Sequence, residues 1–348
     1  MFGAFAGGAR PRLKSVASVV VACALAAPVL AQTAAGSRTE GEAIQRTEVQ
    51  WLEAIQAAAQ RLNYSGTIVY QRGGSMQTSR LVHYFDGSIS HERLQLLDGK
   101  RREYIRRGTE VQCLYPDSRR VRFERRLEIE RFPAIGAGAP AEVLERYRLV
   151  LGGIERVANT DCRVIVLEPR DELRYAHWLC VDPQTALLLK AKTLDASAQP
   201  LEQMAFAELR VGERPDRSLL KPSWSTEGWA VEKEDPKPAD VEASGWQIAV
   251  PAGFRRMRAV ARSMAQGGAG SPAMQVVYSD GLATLSVFIE SDSGNTPVHD
   301  NVRLHGPVSG FARRLDDALI TVIGEVPPAT VRSVALSVTR AGAAVQPR

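Results

Sequence analysis

Short β-rich runs, separated by turn-forming residues, dominate the sequence between residues 64 and 126. The turn residues fall at Gly73-Gly74, Asp86-Gly87, Asp98-Gly99, Gly108 and Pro116-Asp117. Such intervals are typical of an antiparallel meander, and further β-rich runs follow at about 147–157, 162–168, 173–181, 186–193 and 202–211. A sheet of so many strands twists too strongly to remain flat. We therefore expect a large, curved antiparallel sheet.

A helix is predicted just before the first strand. Thr47 and Gln50 have the spacing of a capping box, and apolar residues recur at helical intervals from Leu52 to Leu62. An apolar stripe of this kind requires a flat surface to cover it, which the sheet provides. The combination predicts an α+β fold in which helices pack against the sheet.

A second, smaller domain is predicted after a linker. Residues 221–244 contain three prolines and no sustained periodicity, as expected of an interdomain linker. Trp224 and Trp229 are costly to leave in water, so we expect this linker to pack on one of the domains. The predicted organisation is a first domain over residues 40–220, a linker over 221–244, a second domain over 245–340 and a flexible tail over 341–348.

The stretch QVVYSDGLATLSVFIE, residues 275–290, predicts a hairpin in the second domain. With Asp280-Gly281 as a two-residue turn, Tyr278 lies opposite Ala283. Apolar residues then share one face, and a more polar set shares the other. The remaining elements predicted for this domain are strands near 308–314 and 317–323 and a helix that begins at Pro327-Pro328.

The first 31 residues have the organisation of a cleavable secretory signal. Three basic residues precede an apolar run over residues 16–30, and small residues lie at a cleavage position near Ala31. Removal of this signal lowers the basic count from 44 to 41 against 39 acidic residues, which leaves a net charge of about +2. Neither this charge nor export suggests a nucleic-acid partner. The alternative is lipid attachment at Cys23, whose preceding residues resemble an acylation box.

Two cysteines are predicted to meet across a hairpin. If this hairpin is centred on Asp171, Cys162 and Cys180 lie directly opposite each other. In an oxidising compartment such a pair is close enough for a disulfide, and two independent buried thiols are the alternative. Cys113 alternates with apolar residues, so we expect it in the core.

Apolar groups occupy both faces of some strands in the first domain. Leu81, Tyr84 and Phe85 lie in one such strand. Either helices or the second domain cover the second face, or the strands line an apolar cavity that is open to a lipid.

Positive charge is concentrated over residues 100–131, where eleven basic residues stand against six acidic ones. Such a run is either a solvated sheet face with partial ion pairing or a surface for phosphates and carboxylates, which arginine binds through two parallel hydrogen bonds. Arg120, Arg122 and Arg125 are the candidates for phosphate contacts.

The sequence contains no recognisable catalytic or metal-binding arrangement. The five histidines are dispersed and form no metal-ligand pattern, and nucleophile-elbow, P-loop and dinucleotide motifs do not occur. Ser279 has no histidine or lysine partner at a recognisable spacing. The residues therefore indicate no more than an exported, two-domain, β-rich binding protein, and they suggest no metal or cofactor.

Six segments carry a family resemblance, in the order LNYSGTIVYQ, LEPRDELRYAHWLCVD, LLLKAKTLD, LEQMAFAEL, VYSDGLATLSVFIE and ALITVIGEVPPATVRSVALSV. Together they resemble the MucB/RseB family of periplasmic sigma-E regulators over nearly all of the chain that follows the signal. The resemblance implies an N-terminal half-open antiparallel β-barrel with helices, similar to the lipoprotein carriers LolA and LolB. It also implies a smaller C-terminal antiparallel α/β domain and no enzymatic activity.

The same resemblance implies a partner and a signal. Members bind the periplasmic segment of a membrane-spanning, RseA/MucA-like anti-sigma factor and shield it from site-1 proteolysis. Lipopolysaccharide or mislocalised lipoprotein acyl chains release that protection.

The site residues are hypotheses from the residues themselves, because the shared motifs are turns and strands. Contacts with the anti-sigma segment are predicted for Trp224, Trp229, Val277, Tyr278, Thr284 and Phe288. Acyl chains are predicted at Leu81, Tyr84 and Phe85, and phosphates at Arg120, Arg122 and Arg125. The alternatives are a lipid or lipoprotein carrier and an exported hydrolase that uses Ser279 or His83. Assembly into homo-oligomers stays open.

Overall fold

A computed structural model of the chain describes residues 46–125, 138–233, 236–264, 271–292 and 302–341. Within these ranges the strands form a twelve-stranded sheet, a seven-stranded sheet and a two-stranded ribbon, and there are three α-helices. The predicted signal sequence, Cys23 and the tail after Ala341 lie outside the described residues.

The twelve-stranded sheet, here called the first sheet, is antiparallel except at one edge. Its strands are β1 (Tyr64–Arg72), β2 (Ser75–Phe85), β3 (Ser90–Leu96), β4 (Glu103–Arg107), β5 (Glu110–Tyr115), β6 (Arg120–Arg125), β7 (Tyr147–Val157), β8 (Thr160–Pro169), β9 (Ala176–Val181), β10 (Leu188–Leu194), β11 (Pro200–Val211) and β12 (Ala230–Lys233). Their order across the sheet is β12-β6-β5-β4-β3-β2-β1-β11-β10-β9-β8-β7, and β12 runs parallel to β6. The predicted meander is confirmed, and the linker contributes an additional edge strand.

Helix α1 (Glu48–Arg61) begins at the predicted capping box. The hydroxyl of Thr47 accepts a hydrogen bond from the Gln50 amide at 3.2 Å, and the Gln50 side chain accepts one from the Thr47 amide at 2.9 Å. The helix buries Trp51, Leu52 and Ile55 in one core with residues from both halves of the first sheet. Because α1 contacts both β2 and β10, the sheet curves around it, and α2 (Pro140–Arg146) packs on α1 and β7. This is the half-open barrel that the resemblance implies.

The disulfide joins Cys162 and Cys180, whose Cα atoms are 5.3 Å apart. The predicted register is wrong by two residues, because Val164, and not Cys162, lies opposite Cys180. The loop between β8 and β9 is held by Asp171, which accepts a hydrogen bond from the Leu173 amide at 3.0 Å. This longer loop moves the centre of the hairpin, so the disulfide links diagonal neighbours. Cys113 is buried in β5, as predicted.

The seven-stranded sheet, here called the second sheet, forms the smaller C-terminal unit. Its strands are β13 (Lys237–Pro238), β15 (Arg255–Met264), β16 (Ser271–Ser279), β17 (Thr284–Ser291), β18 (Val302–His305), β19 (Val308–Leu315) and β20 (Ala318–Gly324), in the order β13-β15-β16-β17-β20-β19-β18. Helix α3 (Pro328–Ser337) buries Val331, Val334 and Ala335 against one face of this sheet. A short ribbon pairs β14 (Trp246–Gln247) with β21 (Thr339–Arg340). The strands and the helix predicted after residue 300 are confirmed.

The hairpin between β16 and β17 has the predicted faces but not the predicted register. Tyr278 lies opposite Leu285 and not opposite Ala283, so a four-residue turn replaces the predicted two-residue turn. The carboxylate Oδ1 of Asp280 accepts hydrogen bonds from the amides of Leu282 at 3.0 Å and Ala283 at 2.8 Å, which stabilises the wider turn. Because the shift is two residues and side chains alternate with a period of two, the assignment of the faces is unchanged.

Candidate functional site

The turn between β16 and β17 carries a buried carboxylate that connects the two sheets. Oδ2 of Asp280 accepts a hydrogen bond from Arg174 Nε at 2.6 Å and one from the Tyr147 hydroxyl at 3.2 Å. Tyr147 begins β7, and Arg174 lies in the loop before β9. The side chains of Asp280 and Arg174 are both 0% exposed. A fully buried ion pair therefore joins the first and second sheets.

The guanidinium of Arg174 is held from several directions. It donates to the Asp171 carboxylate and to the Ala252 carbonyl oxygen, and it lies 5.0 Å from the centre of the Phe254 ring. Burying two charges costs desolvation energy, so such a pair contributes less to stability than to selecting one arrangement of the packed elements. We infer that the Asp280–Arg174 pair fixes the arrangement of the sheets.

Backbone contacts accompany this ion pair. Gly281 has φ +99°, and a Cβ there would lie 3.0 Å from both Gly138 Cα and Val143 Cγ2. Thr330 of α3 also donates to the Leu173 carbonyl oxygen at 2.9 Å.

A cavity of about 280 Å³ opens beside the turn. Its lining residues are Gly138, Ala139, Glu142, Gly253, Arg255, Met257, Ser279, Asp280 and Gly281. Met257 is the one large apolar side chain in this lining, which does not suit an acyl chain.

Residues 213–233, here called the strap, lie over the first sheet. Arg93 and Glu103 form an ion pair with Nε and Oε1 2.5 Å apart, and the Glu103 side chain is 0% exposed. Glu103 accepts hydrogen bonds from the Ser223 amide and hydroxyl, both at 2.9 Å, and Arg93 donates to the Leu219 carbonyl oxygen at 3.0 Å. The predicted linker therefore packs on both sheets and not on one domain: residues 221–233 lie on the first sheet, and Lys237–Pro238 pair with β15 of the second sheet.

Strand β12 forms the end of the strap and contacts two of the predicted phosphate-binding arginines. The Glu232 carboxylate accepts hydrogen bonds from Arg120 Nη1 at 2.9 Å and Arg122 Nε at 3.0 Å. The hydrogen bond from Arg122, together with the charge of Arg120, holds the pKa of Glu232 below its usual value. Arg125, the third predicted residue, is exposed at the end of β6.

The predicted partner-binding residues lie in three places. Val277, Thr284 and Phe288 share the face of the second sheet that is directed away from α3, here called the outer face. Val277 is buried there, and the other two are half-buried. Tyr278 points to the opposite face and packs in the core with α3. Trp224 and Trp229 lie half-buried in the strap, so the structure groups three of the six residues.

The predicted acyl-binding residues do not share one cavity. Leu81 is buried in the core around α1. Tyr84 is buried on the other face of β2, where its hydroxyl accepts a hydrogen bond from Arg217 Nη2 at 3.3 Å and the guanidiniums of Arg214 and Arg217 lie 5.5 and 5.6 Å from its ring centre. The strap thus covers this face at Tyr84. Phe85 is half-buried and borders a cavity of about 590 Å³. Its other lining residues are Gln60, Arg61, Ser88, Ile89, Ser90, Arg107, Gly108, Thr109 and Glu110.

The described residues show no catalytic or metal-binding arrangement. The Ser279 hydroxyl donates to the Ala283 carbonyl oxygen at 2.9 Å and accepts from the Gly281 amide at 3.1 Å, so it belongs to the turn. His83 Nδ1 is 2.7 Å from the Leu62 carbonyl oxygen, and its ring stacks on Tyr64. Three or more metal-ligating side chains do not converge anywhere in this part of the chain. Its helices are also too short or too polar to cross a membrane.

The contacts of Asp280, Arg174 and Glu232 could not be predicted from the sequence. Asp280 is recognisable as a turn residue, but Arg174 is 106 residues away and no local pattern connects them. Glu232 lies in a proline-containing linker whose composition does not indicate a strand. The sequence offers one signal, a charged residue flanked by apolar strands that are buried. This signal indicates that the charge has an ion-pair partner, but it does not identify that partner.

Comparisons with known proteins cover nearly all of the described chain. The family model of the MucB/RseB N-terminal domain matches residues 47–224, and that of the MucB/RseB C-terminal domain matches residues 240–339. The sigma factor AlgU regulatory protein MucB of Pseudomonas aeruginosa is 33% identical over 301 residues, which cover 84% of this chain and 91% of that protein.

Two solved structures have the same fold. One is a crystal structure of MucB in complex with MucA(peri), with a TM-score of 0.68 and 30% identity over 85% of this chain and 100% of that one. The other is the complex of Pseudomonas aeruginosa MucA and MucB, with a TM-score of 0.69 and 29% identity over 85% and 99% of the two chains.

Proposed function

The chain belongs to the MucB/RseB family, and from that premise we propose that it binds the periplasmic segment of a membrane-bound anti-sigma factor. The similarity to a MucB chain that was solved with a MucA segment bound carries this proposal, because it extends over the whole of that chain. In this function the chain is a periplasmic regulator without enzymatic activity.

The structure supports a binding function in a second way. The buried Asp280–Arg174 pair and the close approach of Gly138 and Gly281 hold the two sheets together. A surface that is ordered before binding loses less conformational entropy when a partner docks. A rigid two-sheet body is therefore suited to immobilise a flexible segment.

We further propose that binding protects the segment from proteolysis. A protease requires an extended, accessible backbone, and docking on the outer face at the half-buried Thr284 and Phe288, which lie beside the buried Val277, would remove that access. Trp224 and Trp229 of the strap are the additional contacts that we propose. Tyr278 supports this surface from the core and does not touch the partner.

Release by lipopolysaccharide or lipoprotein acyl chains is the third part of the proposal. Suppose that a ligand binds the partner-free chain more tightly than the partner-bound chain. It then lowers the affinity of the chain for the partner by the ratio of these two ligand affinities. The cavity beside Phe85 is the candidate for acyl chains, because Phe85 and Ile89 provide apolar groups next to the positive charges of Arg61 and Arg107.

Replacement of Phe288 by Ala tests the binding surface. We expect the affinity for a labelled periplasmic segment of the anti-sigma factor to fall about tenfold, the effect of removing an apolar anchor worth more than 1 kcal/mol. Equilibrium titration measures the affinity, and a protection assay with the site-1 protease gives an independent readout.

Leu336→Ala is the matched control, because Leu336 is an exposed apolar residue of α3, outside the outer face. Unchanged affinity of the Phe288 variant would exclude the outer face. Failure of the unmodified chain to bind the segment, combined with transfer of acylated protein between membranes, would favour the carrier alternative.

A further inference from the structure

At the edge of the first sheet, a carboxylate of the chain itself is bound by two arginines. The two oxygens of Glu232 are shared between Arg120 Nη1, at 2.9 Å from Oε1, and Arg122 Nε, at 3.0 Å from Oε2. This is the arrangement in which arginines bind a carboxylate or phosphate ligand. Glu232 belongs to the strap, and its position in the sequence is 110 residues or more from these arginines.

Positive charge extends beyond this pair. Arg120 lies opposite Tyr115 in the β5–β6 pairing, and the guanidiniums of Arg102 and Arg120 lie 5.5 and 5.6 Å from the centre of the Tyr115 ring. Arg102 forms no ion pair with a carboxylate in the described part of the chain. Arg122 Nη1 also lies 3.7 Å from Oε1 of Glu124. Two carboxylates, Glu232 and Glu124, therefore face three neighbouring guanidiniums, and the cluster keeps one positive charge in excess.

The strand that carries Glu232 is weakly attached. β12 contains four residues, pairs with β6 on one side only and forms the edge of the sheet. Three of its four residues are exposed, and Val231 is 57% exposed. By contrast, the middle of the strap is fixed at Ser223 by the buried Glu103. Short edge segments with few buried contacts open at low free-energy cost, so β12 can detach while the strap stays anchored.

We propose that Arg120 and Arg122, with Arg102 beside them, form a binding site for a phosphomonoester, and that Glu232 occupies this site as an internal competitor. A phosphomonoester carries about −1.5 to −2 charges at neutral pH and three acceptor oxygens. The carboxylate that it replaces carries one charge and two oxygens. The geometry of arginine suits both ligands, and the excess positive charge favours the phosphate.

Displacement of Glu232 has a consequence for the second sheet. β12 ends at Lys233, and β13 begins at Lys237, where it pairs with β15. If β12 is released from β6, its four residues are added to the connection between the two sheets. That connection therefore becomes longer. A role for this step in releasing the anti-sigma segment rests on the proposed function, but the phosphate site does not.

Glu232→Gln tests the site, because it removes the competing charge with little change in shape. We titrate inorganic phosphate, and separately vesicles of phosphatidylcholine with phosphatidic acid, into the purified chain at constant ionic strength. Phosphate affinity should rise roughly three- to tenfold in Glu232→Gln, as expected for losing an exposed competitor. Glu227→Gln, which removes the same charge elsewhere in the strap, should leave it unchanged. The double variant Arg120→Gln/Arg122→Gln should abolish binding.

Hydrogen exchange tests the displacement directly. At saturating phosphate the amides of residues 230–233 should exchange at least tenfold faster, while those near Ser223 stay protected. Equal affinity of the parent chain and Glu232→Gln for both probes would overturn the proposal, as would binding with no change in exchange over β12. A gain in Glu232→Gln for the vesicles alone would identify a lipid headgroup as the source of the phosphate, and a gain for inorganic phosphate alone would identify free phosphate. The anti-sigma segment is titrated without phosphate, so failure of that binding contradicts only the proposed function.

Discussion

The carboxylate of Asp280 has one oxygen in a turn of the second sheet and the other in an ion pair with the first sheet. We expect Asp280→Asn to lower the free energy of unfolding by about 3 kcal/mol, because it removes the buried partner of Arg174 and leaves only the partly exposed Asp171 carboxylate beside that charge. The amide oxygen of asparagine can still accept the turn hydrogen bonds, so the loss falls on the Arg174 side, where an NH2 group replaces the acceptor oxygen. The midpoint of urea unfolding, at constant m-value, measures the loss.

Asp171→Asn is the control for this prediction, because Asp171 also contacts Arg174 but its side chain is 37% exposed. An exposed partner contributes at most about 1 kcal/mol. Equal losses in the two variants would contradict the assignment of Asp280 as the residue that holds the sheets together.

Among the secondary-structure elements, β12 is held to β6 by backbone pairing and by the ion pairs of Glu232. Because the folded-state pKa of Glu232 is lowered by Arg122 and Arg120, its contribution is present above the unfolded value of about 4.3. That contribution is lost as the pH falls through the folded value. We expect the exchange protection of residues 230–233, corrected for the intrinsic rates, to decrease between pH 6 and pH 3.

In Glu232→Gln the protection of these four residues should be low at both pH values, because an amide does not titrate in this range. A glutamine variant whose protection still falls between pH 6 and pH 3 would show that another group controls the strand.

Local patterns predict the elements better than their pairing. Alternation and capping place α1, most strands of the first sheet and both faces of the β16–β17 hairpin, because these signals are contained in neighbouring residues. Both hairpin registers are wrong by two residues, since each turn is widened by a carboxylate whose hydrogen bonds the sequence does not show. The parallel attachment of β12 to β6 is not predicted either, because it depends on arginines more than 100 residues away.

The candidate site follows the same division. The sequence identifies Arg120 and Arg122 as candidate anion ligands, and the structure places a carboxylate on them. The structure also divides the predicted partner-binding residues between two faces of the second sheet. Val277 and Tyr278 are neighbours in a strand, so their side chains must point to opposite faces. Which side of a sheet is covered depends on tertiary packing, which the strand pattern alone does not contain.

In the whole molecule, we expect the Asp280–Arg174 pair to affect the relative arrangement of the two sheets more than it affects the free energy of unfolding. Replacing a buried pair by apolar residues of similar volume is often neutral, whereas removing one partner is costly. We therefore expect Asp280→Asn combined with Arg174→Met, which keeps an acceptor for the turn hydrogen bonds at position 280, to regain most of the stability that Asp280→Asn alone loses. The contact of Thr330 with Leu173 and the strap still connect the sheets in this double variant, but no charge selects one orientation.

The double variant should consequently bind the anti-sigma segment about five- to tenfold more weakly than the parent chain, because about 80–90% of its population would present a different arrangement. Small-angle X-ray scattering should show a broader distribution of interatomic distances, while urea unfolding stays close to that of the parent. Parent-like affinity together with parent-like scattering would mean that backbone packing at Gly138 and Gly281 is sufficient to orient the sheets. In that case the buried charges would serve folding of the turn and not recognition of the partner.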